Sequence, residues 1–185
     1  MNLLIDACVR EESRTRKLAD HLIARLGEPA TELRLMDCTF PAVDEAFLSR
    51  RDEALALGNL QNPMFALAHQ FAAADNIIIA APFWDLSFPA SLKQYLEQIN
   101  VVGITFRYTE NGIPVGMCRA EHLYYVTTAG GDYFPPEFGY GYVEALAKNF
   151  YGIRNVSLIK AVGLDLVGAD VEKILDEAKA EITNL

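Results

Sequence analysis

Residues 77–81 read Ile-Ile-Ile-Ala-Ala, five apolar residues with no polar interruption. A half-exposed strand alternates apolar and polar side chains, so this run predicts a strand covered on both faces. Strands of that kind belong to parallel sheets, and parallel neighbours must be joined by crossover segments, usually helices. The flanking sequence supplies them. Leu3-Leu4-Ile5 is a short apolar run stopped by Asp6, after which Ser13 opens an amphipathic stretch carrying Leu18, Leu22, Ile23 and Leu26, ended by Gly27. Thr31 to Met36 alternates as a half-exposed strand, and residues 43–73 have helical spacing on either side of a break near Gly58 to Pro63. Beyond the central run, Pro89 begins a helix with Leu92, Tyr95, Leu96 and Ile99 on one stripe. Leu123 to Thr128 predicts a strand, Val143 to Tyr151 a helix, Val156 to Val162 a strand and Val171 to Ile182 a closing helix. Ile104 to Tyr108 followed by Thr109-Glu110-Asn111-Gly112 predicts a β-hairpin inserted near 104–116, with Asn-Gly in a type I′ turn. The class is α/β: a three-layer sandwich around a five-stranded, mostly parallel sheet. A chain of 185 residues fits a single domain, 1–185.

Composition narrows the function. The chain holds 16 Lys and Arg against 25 Asp and Glu, a formal net charge of −9. An acidic chain is a poor general binder of nucleic acid or of anionic membrane, so a phosphate ligand needs a local cationic or amide site. Cys8, Cys38 and Cys118 form no disulfide framework, which favours a reducing, cytoplasmic setting. His21, His69 and His122 lack ligand spacing, so no metal site is expected. No basic leader is expected at the N-terminus, and the apolar run Ile77 to Trp84, which contains Pro82, is too short for a membrane helix.

Ligands of open parallel sheets sit at the carboxyl ends of the strands, which directs attention to three loops. After the first strand comes Cys8-Val9-Arg10-Glu11-Glu12-Ser13-Arg14-Thr15-Arg16, where Ser13 as N-cap leaves the first amides of a helix to meet an anion, with Arg10 and Arg14 beside them. An ordinary capped helix with solvated arginines satisfies the same residues. After the third strand, Pro82-Phe83-Trp84-Asp85-Leu86-Ser87-Phe88-Pro89 places aromatic rings where polar residues are usual, either to hold a flat ligand or to plug the core. After the fourth, Thr128-Ala129-Gly130-Gly131 either lets backbone approach a ligand or makes a plain tight turn. Together they suit a phosphorylated planar heterocycle, and FMN fits in size and polarity.

Trp84 to Ile99, the run Gly103-Ile104-Thr105-Phe106-Arg107-Tyr108-Thr109-Glu110-Asn111-Gly112 and Thr128 to Gly131 resemble the FMN-dependent NADH azoreductases, members of the flavodoxin-like quinone reductases. The resemblance spans nearly the whole chain and implies a flavodoxin-like sheet of order 2-1-3-4-5. It implies a phosphate held by Ser13, Arg14 and Thr15, with Arg10 added from charge. The ring would lie on Pro82, Phe83, Trp84, Asp85 and Leu86, with Thr128, Ala129, Gly130 and Gly131 along the other edge. NADH or NADPH would donate hydride to bound, non-covalent FMN, and a quinone or azo compound would then take its place; no side-chain nucleophile is required. The family also implies a homodimer whose partner covers the flavin; Phe106, Tyr108, Tyr133 and Phe134 are the candidate pocket residues. The chain departs from the best-known members at the ring-binding turn, where Phe83-Trp84-Asp85-Leu86 replaces Met-Tyr-Asn-Phe. An ionised Asp85 facing the ring would lower its potential, whereas an outward Asp85 leaves only backbone contact.

Three other readings remain open at this stage. Cys8 to Thr15 spells C-x5-R-T, the phosphate loop of low-molecular-weight tyrosine phosphatases, with Cys8 as nucleophile and Arg14 as clamp. Against it, the loop lacks glycine, carries Glu11 and Glu12, and no Asp-Pro pair occurs in the chain. A flavodoxin-like electron carrier that does not oxidise NAD(P)H, or a flavin-binding partner or sensing module, suits the same fold.

Overall fold

The computed structural model describes residues 1–182; residues 183–185, the end of the expected domain, lie outside the described residues. Strand β1 (Asn2–Asp6) is buried along its whole length and pairs in parallel with β2 (Ala30–Arg34) on one side and β3 (Asn76–Ala80) on the other. Following the chain, α1 (Arg14–Leu26) precedes β2, and α2 (Glu45–Ala56) and α3 (Ala66–Ala73) connect β2 to β3. Helix α4 (Ala90–Ile99) leads to a hairpin of β4 (Phe106–Tyr108) and β5 (Pro114–Gly116), and then to β6 (His122–Thr128). Helix α5 (Tyr140–Leu146), β7 (Asn155–Ala161) and α6 (Val171–Ile182) complete the order. The main sheet runs β2-β1-β3-β6-β7 with every pairing parallel, which is the expected 2-1-3-4-5 once the hairpin strands are set aside.

The period-two rule explains how one unbroken apolar strand serves two cores. Ile77 and Ile79 pack with Leu3, Ile5, Phe71, Leu92, Tyr95 and Tyr151, on the face covered by α3, α4 and α5. Ile78 and Ala80 point the other way, toward Leu4, Leu18, Leu22, Leu175 and Ala178, on the face covered by α1 and α6. Among the described residues no helix is long and apolar enough to cross a membrane.

Three elements differ from expectation in detail. The alternation read over 31–36 stops at Arg34, and Leu35–Asp37 form a 3-10 turn that buries Leu35. The helix expected over 143–151 starts earlier, at Tyr140, and widens into a π-helical segment over Ala147–Tyr151, where Tyr151 reaches the core. The hairpin turn is not type I′. The Gly112 amide donates to the Thr109 carbonyl at 2.9 Å, and neither Glu110 nor Asn111 has positive φ; Gly112 alone is left-handed, at φ 75°. Asn-Gly therefore occupies the last two turn positions rather than the central two, the arrangement of a turn followed by a bulge glycine.

The start of α1 is fixed by charge as well as by packing. Asp6, 3% exposed at the end of β1, accepts from the Cys8 amide at 2.8 Å and from Arg16 Nη1 at 2.9 Å. Arg16 also reaches Asp20 and Glu32, spanning β1, α1 and β2. Removing this guanidinium strands a buried carboxylate. Arg16→Ala is expected to lower unfolding stability by about 2–3 kcal/mol, measured as a lower urea midpoint with unchanged slope.

Candidate functional site

Four strand ends open onto one cavity of about 360 Å3, lined by residues from the β1–α1 loop, the turn after β3, the end of β6 and the loop after β7. Arg10, Ser13, Arg14, Thr15, Pro82, Phe83, Trp84, Thr128, Ala129 and Gly130 all line it. Asp85, Leu86 and Gly131 from the same loops do not, nor do the hairpin and loop aromatics Phe106, Tyr108, Tyr133 and Phe134. Val9, Glu12, Leu164 and Asp165 line it without having been singled out from sequence.

At the start of α1 the backbone of Ser13 is extended and its hydroxyl accepts from the Arg16 amide at 3.3 Å, as an N-cap does. The amides of Arg14 and Thr15 have no partner among the described residues, so they point the positive end of the helix at the cavity. Thr15 is fully buried, and its hydroxyl shares a 2.7 Å hydrogen bond with that of Thr128, tying α1 to the end of β6. Arg14 pairs with Asp165 at 2.8 Å. Lys17 is held by Glu12, which is itself drawn below the usual carboxylate range by the Lys17 hydrogen bond.

Cys8 is unsuited to nucleophilic chemistry. It is buried, its sulfur lies 3.7 Å from the Ala80 carbonyl, and burial, only partly offset by Ser13, pushes its thiol up to about 12. A phosphatase nucleophile needs the opposite shift, toward thiolate at neutral pH.

The turn after β3 has an unusual backbone. Trp84 and Ser87 exchange both amide-to-carbonyl hydrogen bonds, at 3.0 and 2.8 Å, closing a two-residue loop. The central residues Asp85 and Leu86 both have positive φ, 49° and 69°, the mirror-image turn that normally takes Asn and Gly. Each non-glycine residue held there costs about 1–2 kcal/mol. The turn is retained by neighbours: Phe83 packs on Phe134 with ring centroids 4.8 Å apart, and Ser87 Oγ donates to the Phe138 carbonyl at 2.9 Å. Its geometry leaves the Asp85 and Leu86 amides without partners among the described residues. The Asp85 side chain is exposed and outside the cavity lining.

Gly130 lines the cavity and also touches the loop after β7. A Cβ there would lie 2.3 Å from Asp165 Oδ2, so the missing side chain makes room for the Asp165 carboxylate; at Gly131 nothing stands within 4 Å of that position. Phe106 is buried edge-on against Phe150 and Tyr108, whereas Tyr108 and Tyr133 are exposed. No group of His, Cys, Asp and Glu among the described residues is placed to hold a metal ion.

Residues 2–185 match the family described as having the flavodoxin-like fold, and the chain belongs to it. Its relatives within that fold are oxidoreductases by name. It is 37% identical over 185 residues to the FMN-dependent NADH:quinone oxidoreductase of Coprothermobacter proteolyticus, covering 95% of this chain and 91% of the relative. It is 39% identical over 176 residues to FMN-dependent NADH:quinone oxidoreductase 2 of Clostridium acetobutylicum, covering 88% and 85%. Among solved structures it superposes on an azoreductase from Bacillus anthracis with TM-score 0.83 and 24% identity, covering 100% and 99% of the two chains. An NAD(P)H:quinone oxidoreductase from Methanothermobacter marburgensis gives TM-score 0.69 at 18% identity, with 99% and 97% covered. At those identities the two structures speak for the shared fold.

Two outcomes check the site as drawn. Leu86→Gly should raise stability by about 1 kcal/mol by relieving left-handed strain, read as a thermal midpoint about 2–4 °C higher. Cys8 should resist aromatic disulfide reagents in the native protein at pH 7–9, labelling only as pH approaches its raised value or after denaturation; rapid labelling at pH 7 would contradict its burial.

Proposed function

We propose that this chain is an FMN-dependent NAD(P)H oxidoreductase acting on quinones or azo compounds, working as one flavodoxin-like domain in a reducing cytoplasm. The observation that carries the reading is the meeting, in one cavity, of unpartnered α1 amides and two arginines with the Phe83–Trp84 turn. The donor set matches the group: amides, hydroxyls and guanidinium suit a phosphate dianion, and proline and aromatic faces suit a flat ring. The names of the Coprothermobacter and Clostridium relatives support the same cofactor and donor class.

In this reading the Arg14 and Thr15 amides, the Ser13 hydroxyl and the Arg10 and Arg14 guanidinium groups hold the phosphate. Pro82, Phe83 and Trp84 support the ring, and Thr128, Ala129, Gly130 and Gly131 border its other edge. The strained turn next to Trp84 leaves the amides of Asp85 and Leu86 free, and they would serve as fixed donors to a bound flavin ring, a preorganised dipole that needs no rearrangement during reaction. Bound FMN supplies the hydride and electron chemistry, so the protein needs no nucleophile of its own. NADH or NADPH and the acceptor use the open side of the cavity in turn.

Tyr108, Ile113, Val115 and Met117 expose apolar surface along and beside the hairpin, away from the chain's own cavity. This supports a homodimer in which the Phe106-backed Tyr108 of one copy, with Tyr133 and Phe134 as neighbouring candidates, completes the pocket of the other. An electron carrier would use the same cofactor but would leave NADH unoxidised.

The purified protein should show oxidised-flavin absorption bands that bleach on anaerobic addition of NADH and return with quinone. Arg14→Ala combined with Thr15→Ala should give largely colourless protein. Colourless native protein that takes up no FMN at micromolar concentration would overturn the reading; flavin that bleaches only through an added reductase would make the chain a carrier.

A further inference from the structure

Asp165 belongs to no motif, yet it reaches the part of the cavity assigned above to the phosphate. Its position is fixed by backbone. The Asp165 amide donates to the Gly130 carbonyl at 2.9 Å, and the Gly163 amide donates to the Gly131 carbonyl at 2.8 Å, so the loop after β7 is pinned along the end of β6. The carboxylate lies against Gly130, where a Cβ would come within 2.3 Å of Oδ2, and Oδ1 accepts from Arg14 Nη1 at 2.8 Å.

The other charges beside the start of α1 are committed differently. Arg16 is taken by Asp6, Asp20 and Glu32, and Glu12, the other carboxylate lining the cavity, is tied to Lys17. Asp165 is thus the carboxylate, among the described residues, that holds a cation the phosphate would use. The pair is exposed, with Asp165 69% accessible, and an exposed pair of single charges is weak enough to exchange. A phosphate dianion with amides at its back is the stronger partner for Arg14. Once displaced, Asp165 cannot retreat far, because its backbone stays bonded to Gly130. It remains a like charge near the phosphate.

We propose that Asp165 is a specificity-determining counter-anion: it occupies Arg14 until a phosphate replaces it, and it lowers the affinity of the site for phosphorylated over unphosphorylated flavin. The inference rests on the reading of this cavity as an FMN site. At several ångströms in a water-like surroundings, repulsion between a carboxylate and a dianion amounts to about a five- to tenfold change in affinity. Riboflavin, which shares the ring and lacks the phosphate, should not feel it.

The test is titration of the flavin-stripped full-length chain with FMN and with riboflavin, followed by flavin fluorescence, for the native protein and Asp165→Asn. The expected result is FMN binding about five- to tenfold tighter in Asp165→Asn, with riboflavin unchanged. The gain should shrink in 0.5 M salt, as screening requires. Unchanged or weaker FMN binding in Asp165→Asn overturns the inference, the weaker outcome making Asp165 a positioning residue for Arg14. Equal tightening of FMN and riboflavin overturns it as well, since the effect would then not act through phosphate. Native protein that binds neither flavin fails at the earlier step and removes the FMN reading itself.

Discussion

The site exists because parallel pairing continues past the ends of the strands. Ala7 donates to the Ala80 carbonyl, Ala81 to Val126, Phe83 to Thr128 and Ala129 to Ala161, all at 2.9–3.0 Å. These bonds carry the pairing one to three residues beyond β1, β3 and β6 and bring the departing loops to a common level. The Thr15–Thr128 hydroxyl bond then fastens α1 to the same edge. Nothing in any single loop creates a binding surface; the shared level does. It depends in turn on the apolar central strand, which keeps register because either face has a core to fill.

Much of this was legible in residue order. The Ile77–Ala81 run forced a sheet covered on both faces, and the spacing of Leu18, Leu22 and Leu26 or of Leu92, Tyr95 and Ile99 left little choice about the helices beside it. Ser13, Arg14 and Thr15 were identifiable as a capped helix start with free amides because capping chemistry is local. Other features were hidden for physical reasons. Asp85 and Leu86 carry no mark of positive φ, since the conformation is imposed by Trp84–Ser87 pairing and by Phe83 against Phe134 rather than by their own preference. Asn111-Gly112 carried a true turn signal, but the offset of that signal by one position is decided by the pairing of Tyr108 with Pro114. Asp165 was invisible because its role arises from a contact with Arg14, 151 residues away in the chain. The rule that places ligands at strand ends applies to β7 as it does to β1, β3 and β6. Position alone, without a motif, would have drawn attention to its loop.

The distribution of charge resolves an apparent conflict between an acidic chain and an anionic cofactor. Net charge governs long-range approach, whereas a helix terminus acts within a turn or so of its end. Carboxylates near the start of α1 draw Arg16 and Lys17 aside, which leaves Arg10 and Arg14 toward the cavity. The resulting cationic surface is small and specific to one direction, unlike the broad basic faces that bind polymers. The aromatic turn adjoins it, so polar and flat halves of one ligand would find their partners within a single cavity.

The π-helical segment Ala147–Tyr151 has a consequence for chain length. Its wide turn sets the phase of Tyr151, whose ring meets Phe71 edge-on at 4.8 Å, whose hydroxyl reaches Asn100, and whose carbonyl receives the Cys118 amide. An ordinary helix advances about 100° per residue. Shortening this stretch by one residue would tighten the coil and swing the tyrosine out of the interior, detaching the root of the hairpin from the third and fourth helices. The surplus residue thus acts as a spacer, and a deletion there would be felt by the hairpin ribbon long before it reached the sheet.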